Sequence, residues 1–124
     1  MRFRLACPAN IVGKNVGNIE ILFKKISPLL IRDTSTILRT QEIYLERKKN
    51  AILIDSLVIE SNLKTNFFSM ITGREDGLVV RLFPHFQIKK TAGVKRLLAE
   101  IAKQIMHIFP EFVLGETNLE EYLK

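Results

Sequence analysis

The chain of 124 residues contains a single cysteine, Cys7, so it cannot form an internal disulfide. This fits a reducing, cytoplasmic setting. No stretch approaches the ~20 consecutive apolar residues that a membrane helix requires. The longest candidate, Ala51–Glu60, carries Asp55 in its middle. The sequence therefore predicts a soluble cytoplasmic protein that has no membrane partner.

The motifs of common phosphate and dinucleotide sites are also missing: neither GxxxxGK[ST] nor GxGxxG occurs. The two histidines, His85 and His107, lie at no recognised metal-ligand spacing from each other or from Cys7. We therefore expect no metal, no cofactor and no catalytic residues. The sequence favours a protein without enzymatic activity of its own.

The composition that is present, 47% hydrophobic and 26% charged residues, is that of one folded domain spanning residues 1–124. The net charge is +6, and it is unevenly distributed. Residues 111–124 hold four Glu and one Lys, so they form an acidic C-terminal tail of the same domain. The rest of the chain is basic, which suggests either solubility or a polyanionic partner such as nucleic acid.

Hydrophobic periodicity predicts the secondary structure. Phe3, Leu5 and Cys7 alternate with arginines, as in a half-buried strand. A helical stripe runs from Val16 to Ile26, and a further turn is expected at Leu29–Arg32 because Pro28 ends the helix. A second helix is expected between a Thr91 cap and Pro110. Four more strands are expected at Ile37–Glu46, Ala51–Glu60, Thr65–Thr72 and Leu78–Phe83, with a hairpin loop at Gly73–Gly77.

These elements predict an α+β fold: a mainly antiparallel five-stranded sheet in β-α-β-β-β-β-α order, with two helices packed on one face. The element order is similar to that of the TATA-binding-protein-like fold and its larger ligand-cavity relatives. The resemblance covers most of the chain and rests on no shared motif. It implies a shape and no function.

Both faces of the central strands are apolar in the sequence pattern. Ile52, Ile54 and Val58 point to one face of their strand, and Leu53 and Leu57 point to the other. Two helices cover only one face, so a second subunit, the C-terminal tail or a ligand must cover the other. We expect a homodimer, since twofold association is the commonest solution.

The segment at the start of the second helix is unusually basic, and it is a candidate anion-binding site. Helix N-termini offer unpaired N–H groups, and a glycine in the first turn lets an anion approach. A basic, solvated junction is the competing interpretation. The candidate residues are Lys89, Lys90, Thr91, Gly93, Lys95 and Arg96. A second glycine-bearing segment, Val12–Asn18, is read as a loop and helix cap rather than a phosphate loop.

Asp55 lies among apolar residues of its strand and is a candidate buried acid. A general base is one interpretation. The competing ones are a bulge that turns Asp55 outward and an ion pair with an arginine on a neighbouring strand.

The leading prediction for function is a small binding or interaction protein that is homodimeric and non-enzymatic. The first alternative is binding of nucleic acid or a phosphate ligand through Lys89–Arg96, with aromatic residues among basic strand residues as a possible stacking surface. The second alternative is a cavity for a small molecule between the sheet and the second helix. The aromatic and basic candidates are Tyr44, Phe67, Phe68, Phe83, Arg39 and Arg81.

Overall fold

The computed structural model describes residues 2–6, 18–74, 77–83 and 88–115, and in this part the chain forms two helices and seven strands. The helices are α1 (Ile19–Lys25) and α2 (Ala92–Ile108). The strands are β1 (Arg2–Ala6), β2 (Leu30–Arg32), β3 (Thr36–Leu45), β4 (Ala51–Glu60), β5 (Leu63–Arg74), β6 (Gly77–Leu82) and β7 (Val113–Leu114).

All seven strands join one antiparallel sheet in the order β2-β3-β4-β5-β6-β1-β7. Strands β2 to β6 form a meander in which each strand pairs with the next. Strand β1 then adds beside β6, with Phe3 opposite Val80, and the short β7 adds beside β1. The prediction of an α+β fold with a mainly antiparallel sheet and two helices is confirmed.

The predicted count of five strands is wrong, because two short edge strands were not recognised. Residues Leu30–Arg32, expected as a turn, pair with β3, and Ile31 lies opposite Leu38. Val113–Leu114 pairs with β1 in the same way. Both strands are too short for a period of two to be visible. Strand β2 pairs with the neighbouring β3 across a short turn, whereas β7 pairs with β1, which is distant in sequence.

The β4–β5 hairpin has a tight connection of two residues. Ser61 and Asn62 form its two-residue turn, and both have left-handed backbone angles, with φ of 46° and 72°. This is the geometry of a type I′ turn, whose twist matches that of the flanking strands. The turn fixes the register, so that Glu60 lies opposite Leu63 at the end of the hairpin.

Both helices pack on one face of the sheet, which we call the inner face. Its side chains include Ile52, Ile54 and Val58 of β4 and Ile71 of β5, all buried. Gln104 of α2 joins the two helices, since its side-chain oxygen accepts from the Ser27 N–H at 2.8 Å and its amide nitrogen donates to the Ser27 carbonyl at 3.2 Å. The helical stripe of α2 fills the layer above the sheet with Val94, Leu97, Leu98, Ile101 and Ile105.

The opposite side of the sheet, which we call the outer face, is also apolar. The alternation of β4 and β5 directs Leu53, Leu57 and Ile59 and their cross-strand neighbours Phe68 and Met70 to this face. Neither helix lies on it.

Within the part of the chain described here, no helix is long and apolar enough to cross a membrane.

Candidate functional site

Helix α2 begins where the sequence predicted, and its N-cap is Thr91. The Thr91 Oγ1 atom accepts a hydrogen bond from the Val94 N–H at 3.2 Å, which satisfies one of the unpaired donors of the first turn. The first turn contains no acidic residue. A helix N-terminus carries partial positive charge, so another negative group is expected to lie nearby.

That negative group is Glu60, at the end of β4. Its Oε1 atom accepts from the Gly93 N–H at 2.7 Å, and its Oε2 atom accepts from the Thr91 hydroxyl at 2.6 Å. One carboxylate thus binds two groups at the start of α2, 33 residues further along the chain. Glu60 is the last residue of β4 and directly precedes the type I′ turn. A side chain of the sheet therefore caps the helix.

Gly93 is required by this close approach. A Cβ atom built on Gly93 would lie 2.5 Å from Val58 Cγ1 and 2.5 Å from Glu60 Cδ. Carbon atoms pack at about 3.5–4.0 Å, so neither contact is tolerable. The glycine predicted to let an external anion approach lets the chain's own carboxylate approach instead.

Among the described residues, no cation of this segment forms an ion pair with Glu60. Lys89 and Lys90 are exposed, and Lys95 and Arg96 are half-buried. The Arg96 Nη1 atom lies 3.2 Å from the Asp33 Oδ2 atom, in the turn between β2 and β3. The structure thus brings the predicted residues together at one helix start, where Glu60 already uses two donors. Their binding of an external anion remains a prediction.

The pKa of the Asp33 carboxyl lies below its ordinary value. The main cause is the Thr34 backbone N–H, which donates to Asp33 Oδ1 at 2.8 Å. The hydrogen bond from Arg96 and its positive charge lower the pKa further, and a small loss of solvation opposes them. Two turns of the sheet, at Asp33 and at Glu60, therefore hold the start of α2.

The outer face is an apolar surface on which neither helix lies. Leu57, Met70 and Val79 at its centre are no more than 9% exposed, and Leu53 and Phe68 beside them are half-buried. Tyr44 and Leu30, which the strand register places on the same face, are 50% and 56% exposed.

Asp55 lies in the middle of this face, half-buried and opposite Phe68. Strand β4 itself is regular here, and the irregularity lies in β3, between Thr40 and Ile43. Within the described residues no cation lies within ion-pair distance of Asp55. Its role as an acid or base remains a prediction.

The aromatic and basic residues of the sheet separate between the two faces. Phe67 is part of the inner core, whereas Tyr44 and Phe68 lie on the outer face together with Arg39 and Arg81. Two buried polar atoms of the described residues have no hydrogen-bond partner, Thr72 Oγ1 and Arg81 Nε, and both belong to residues of the outer face.

Several predicted features lie outside the described residues: Cys7, His85, the glycine-bearing segment up to Gly17 and the acidic tail beyond Gly115. Asn18, the last residue of that segment, caps α1 through its side-chain oxygen, which accepts from the Glu20 N–H at 2.7 Å. His107 is exposed on α2. Among the residues of known placement, no group of three His, Cys, Asp or Glu side chains could hold a metal ion.

Comparison with protein-family models, with curated proteins and with solved structures finds no match to this chain. The site is therefore defined by its own geometry. Sequence reasoning missed Glu60, whose role depends on a contact between residues that are far apart in the chain. The available signal was indirect, namely a helix start rich in cations and without an acid.

Proposed function

We propose that the protein is a small cytoplasmic binding protein without catalytic activity of its own, and that it acts as a homodimer joined through the outer face. The observation that carries this proposal is the two-sided apolar sheet. Both helices lie on the inner face, while Leu53, Phe68 and Tyr44 leave apolar surface on the other. Apolar patches of this kind commonly mark interaction sites.

Charge complementarity favours a second copy of the chain as the partner. Asp55 and Arg39 lie on the outer faces of neighbouring strands, and neither has an ion-pair partner among the described residues. A twofold interface is symmetric, so each contact between two different residues of the two subunits occurs twice, once in each direction. Asp55 of each subunit would then pair with Arg39 of the other, and the apolar side chains around them would be buried.

The decisive experiment combines analytical ultracentrifugation with a charge-reversal pair. The wild-type chain is expected to sediment as a dimer, and Leu53→Glu as a monomer. Asp55→Arg and Arg39→Asp should each weaken the dimer, and the double variant D55R/R39D should restore it. Ala92→Glu, which adds the same carboxylate to an exposed position on α2, is the matched control and should remain dimeric.

Circular dichroism on each variant separates a lost interface from a lost fold. A wild-type chain that stays monomeric at the highest concentration reached would contradict the proposal. So would a folded Leu53→Glu variant that remains a dimer.

A second candidate function uses the same face, because Tyr44 and Phe68 lie beside Arg39 there. Aromatic rings among cations are the chemistry that binds single-stranded nucleic acid, by stacking on bases and neutralising phosphates. A single-stranded oligonucleotide should then bind with an affinity that falls steeply between low and physiological salt. Tyr44→Ala should weaken that binding, and salt-independent weak binding would remove this candidate.

The predicted small-molecule cavity between the sheet and α2 is supported less well. Leu97, Leu98 and Ile101 of α2 are fully buried against the inner face and occupy that space. For this reason we place recognition at the surface of the molecule.

A further inference from the structure

A cleft lies at the end of the sheet where the turn between β3 and β4 meets the start of α1 and the end of β5. Its volume is about 590 Å³, within the range of about 300–1,000 Å³ found for ligand sites. Three cations line it, Lys48, Lys49 and Arg74, against one carboxylate, Glu20. We call it the turn cleft, and it is separate from both the outer face and the start of α2.

Backbone hydrogen bonds fix the main chain of the turn on one side of the cleft. The Lys49 N–H donates to the Glu46 carbonyl at 2.8 Å, and the Glu46 N–H donates to the Ala51 carbonyl at 2.9 Å. The Gly73 N–H of β5 donates to the Asn50 carbonyl at 3.0 Å, which fixes the turn against the neighbouring strand. A Cβ atom on Gly73 would lie 3.0 Å from Asn50 Oδ1, so the glycine permits this close contact.

Among the described residues, only one cation of the turn cleft has a carboxylate within ion-pair distance. Lys49 lies 3.8 Å from Glu20, in an ion pair whose two side chains are about half exposed. Such pairs contribute little and yield readily to a better partner. Among the described residues, no carboxylate lies within ion-pair distance of Lys48 or Arg74.

Neutral donors complete the lining. Asn18 and Asn50 also line the cleft. The Asn18 side-chain oxygen caps α1, so the side-chain amide nitrogen is the group of Asn18 that remains to donate to a ligand. The N–H groups of Glu20 and Ile21 are already bound by Asn18. The anion-binding capacity of the cleft therefore rests on side chains, with no contribution from the end of the short helix α1.

We propose that the turn cleft binds the phosphate group of a small phosphorylated molecule of nucleotide size. Two ammonium groups and a guanidinium suit a dianionic phosphate, since the guanidinium binds two oxygens at once and the lysines act as point charges. The volume of the cleft suits one small molecule. A nucleic-acid strand is the competing ligand, and the experiment below distinguishes the two.

The test is a titration of the ¹⁵N-labelled chain at low salt, with inorganic phosphate and then AMP as the probes. Both should produce saturable shifts of the Lys49, Asn50 and Gly73 amide signals, with AMP binding more tightly. Lys48→Gln and Arg74→Gln should each weaken AMP binding about tenfold, the equivalent of about 1.4 kcal/mol. Lys64→Gln, an exposed lysine at the far end of β5, is the matched control and should bind as the wild type does.

The same spectra report the fold of every variant, so weak binding cannot be confused with unfolding. Three results would contradict the proposal: no saturable shift with either probe, unchanged affinity in both cleft variants, or shifts confined to Lys89–Arg96. A single-stranded oligonucleotide is the third probe in the titration. If it shifts the cleft signals and AMP does not, the ligand is nucleic acid and the small-molecule proposal fails.

Discussion

The side-chain carboxylate of Glu60 accepts a hydrogen bond from the backbone N–H of Gly93 at 2.7 Å. Through this contact the end of a β-strand caps a helix that starts more than thirty residues later. A carboxylate at a helix N-terminus is stabilised both by the donors it binds and by the dipole of the helix. The partial positive charge at the start of α2 is therefore balanced by a carboxylate of the sheet. This explains why the first turn needs no acidic residue of its own.

Removing this carboxylate should destabilise the fold. For Glu60→Ala we expect the free energy of unfolding to fall by about 1–3 kcal/mol, because the Gly93 N–H and the Thr91 hydroxyl lose a charged, partly buried acceptor. Glu60→Gln keeps one acceptor and should lose less. Urea denaturation measures both changes. Glu111→Ala, which removes an exposed carboxylate, should stay within about 0.5 kcal/mol of the wild type.

A methyl group at position 93 should also destabilise the chain, although alanine is the better helix former by about 1 kcal/mol. Gly93→Ala places a Cβ atom 2.5 Å from Val58 Cγ1, and overpacking of this kind costs about 1–3 kcal/mol. A double-mutant cycle with Val58→Ala tests the cause, because shortening Val58 makes room for the new methyl group. Strictly additive effects of the two changes would show that the contact with Val58 is not the reason.

The hairpin turn at Ser61 and Asn62 offers a route to higher stability. Both residues have positive φ, a conformation that costs most side chains about 1–2 kcal/mol and that Asn-Gly adopts readily. The double variant S61N/N62G should therefore raise the free energy of unfolding by about 1 kcal/mol, visible as a higher melting temperature. Lys64→Gly, in the adjacent strand, should lower it. A turn variant no more stable than the wild type would argue against the type I′ assignment.

The hydrogen bonds that the Asp33 carboxylate accepts, first from the Thr34 N–H and then from Arg96, predict a pH dependence. The pKa of this carboxyl is lowered in the folded chain, so the folded state binds this proton more weakly than the unfolded state. The resulting stabilisation is fully present above the unfolded pKa of about 3.9 and disappears as the pH falls through the lower, folded pKa.

An NMR titration of the Asp33 carboxyl should give a midpoint below its ordinary value. Arg96→Gln should raise that midpoint only in part, because the Thr34 N–H remains as the larger cause. Lys95→Gln, one residue away, serves as the control. A full return to the ordinary value in Arg96→Gln would show that Arg96, rather than Thr34, dominates.

The main elements of the fold could be predicted because each carries a strong local signal. The period of two in β4 and the stripe of α2 each extend over at least ten residues, and Thr91 and Pro110 mark the ends of the helix. Strands β2 and β7 have three and two residues, too few for a period of two to show, and the pairing of β7 with β1 is in addition a long-range effect. No local pattern records such a contact.

The candidate sites divide in the same way. Leu53 and Leu57 could be assigned to the second apolar face, because alternation within one strand decides which side a residue faces. Glu60 and the turn cleft could not be found, since the first joins two distant segments of the chain and the second joins three. The basic residues around Thr91 were visible in the sequence, and the carboxylate that they surround was not.

The place of β1 in the sheet has a consequence for the order of folding. The meander from β2 to β6 closes through short loops, whereas β1 must find β6 across most of the chain, with Arg2 opposite Arg81. Bringing such distant segments together carries a large loop-closure entropy. We expect β1 to join after the rate-limiting step, so that Phe3→Leu speeds unfolding and leaves the folding rate nearly unchanged, while Ile54→Val slows folding. Stopped-flow kinetics on the two variants test this order. If the N-terminal strand belonged to the folding nucleus, Phe3→Leu would slow folding instead.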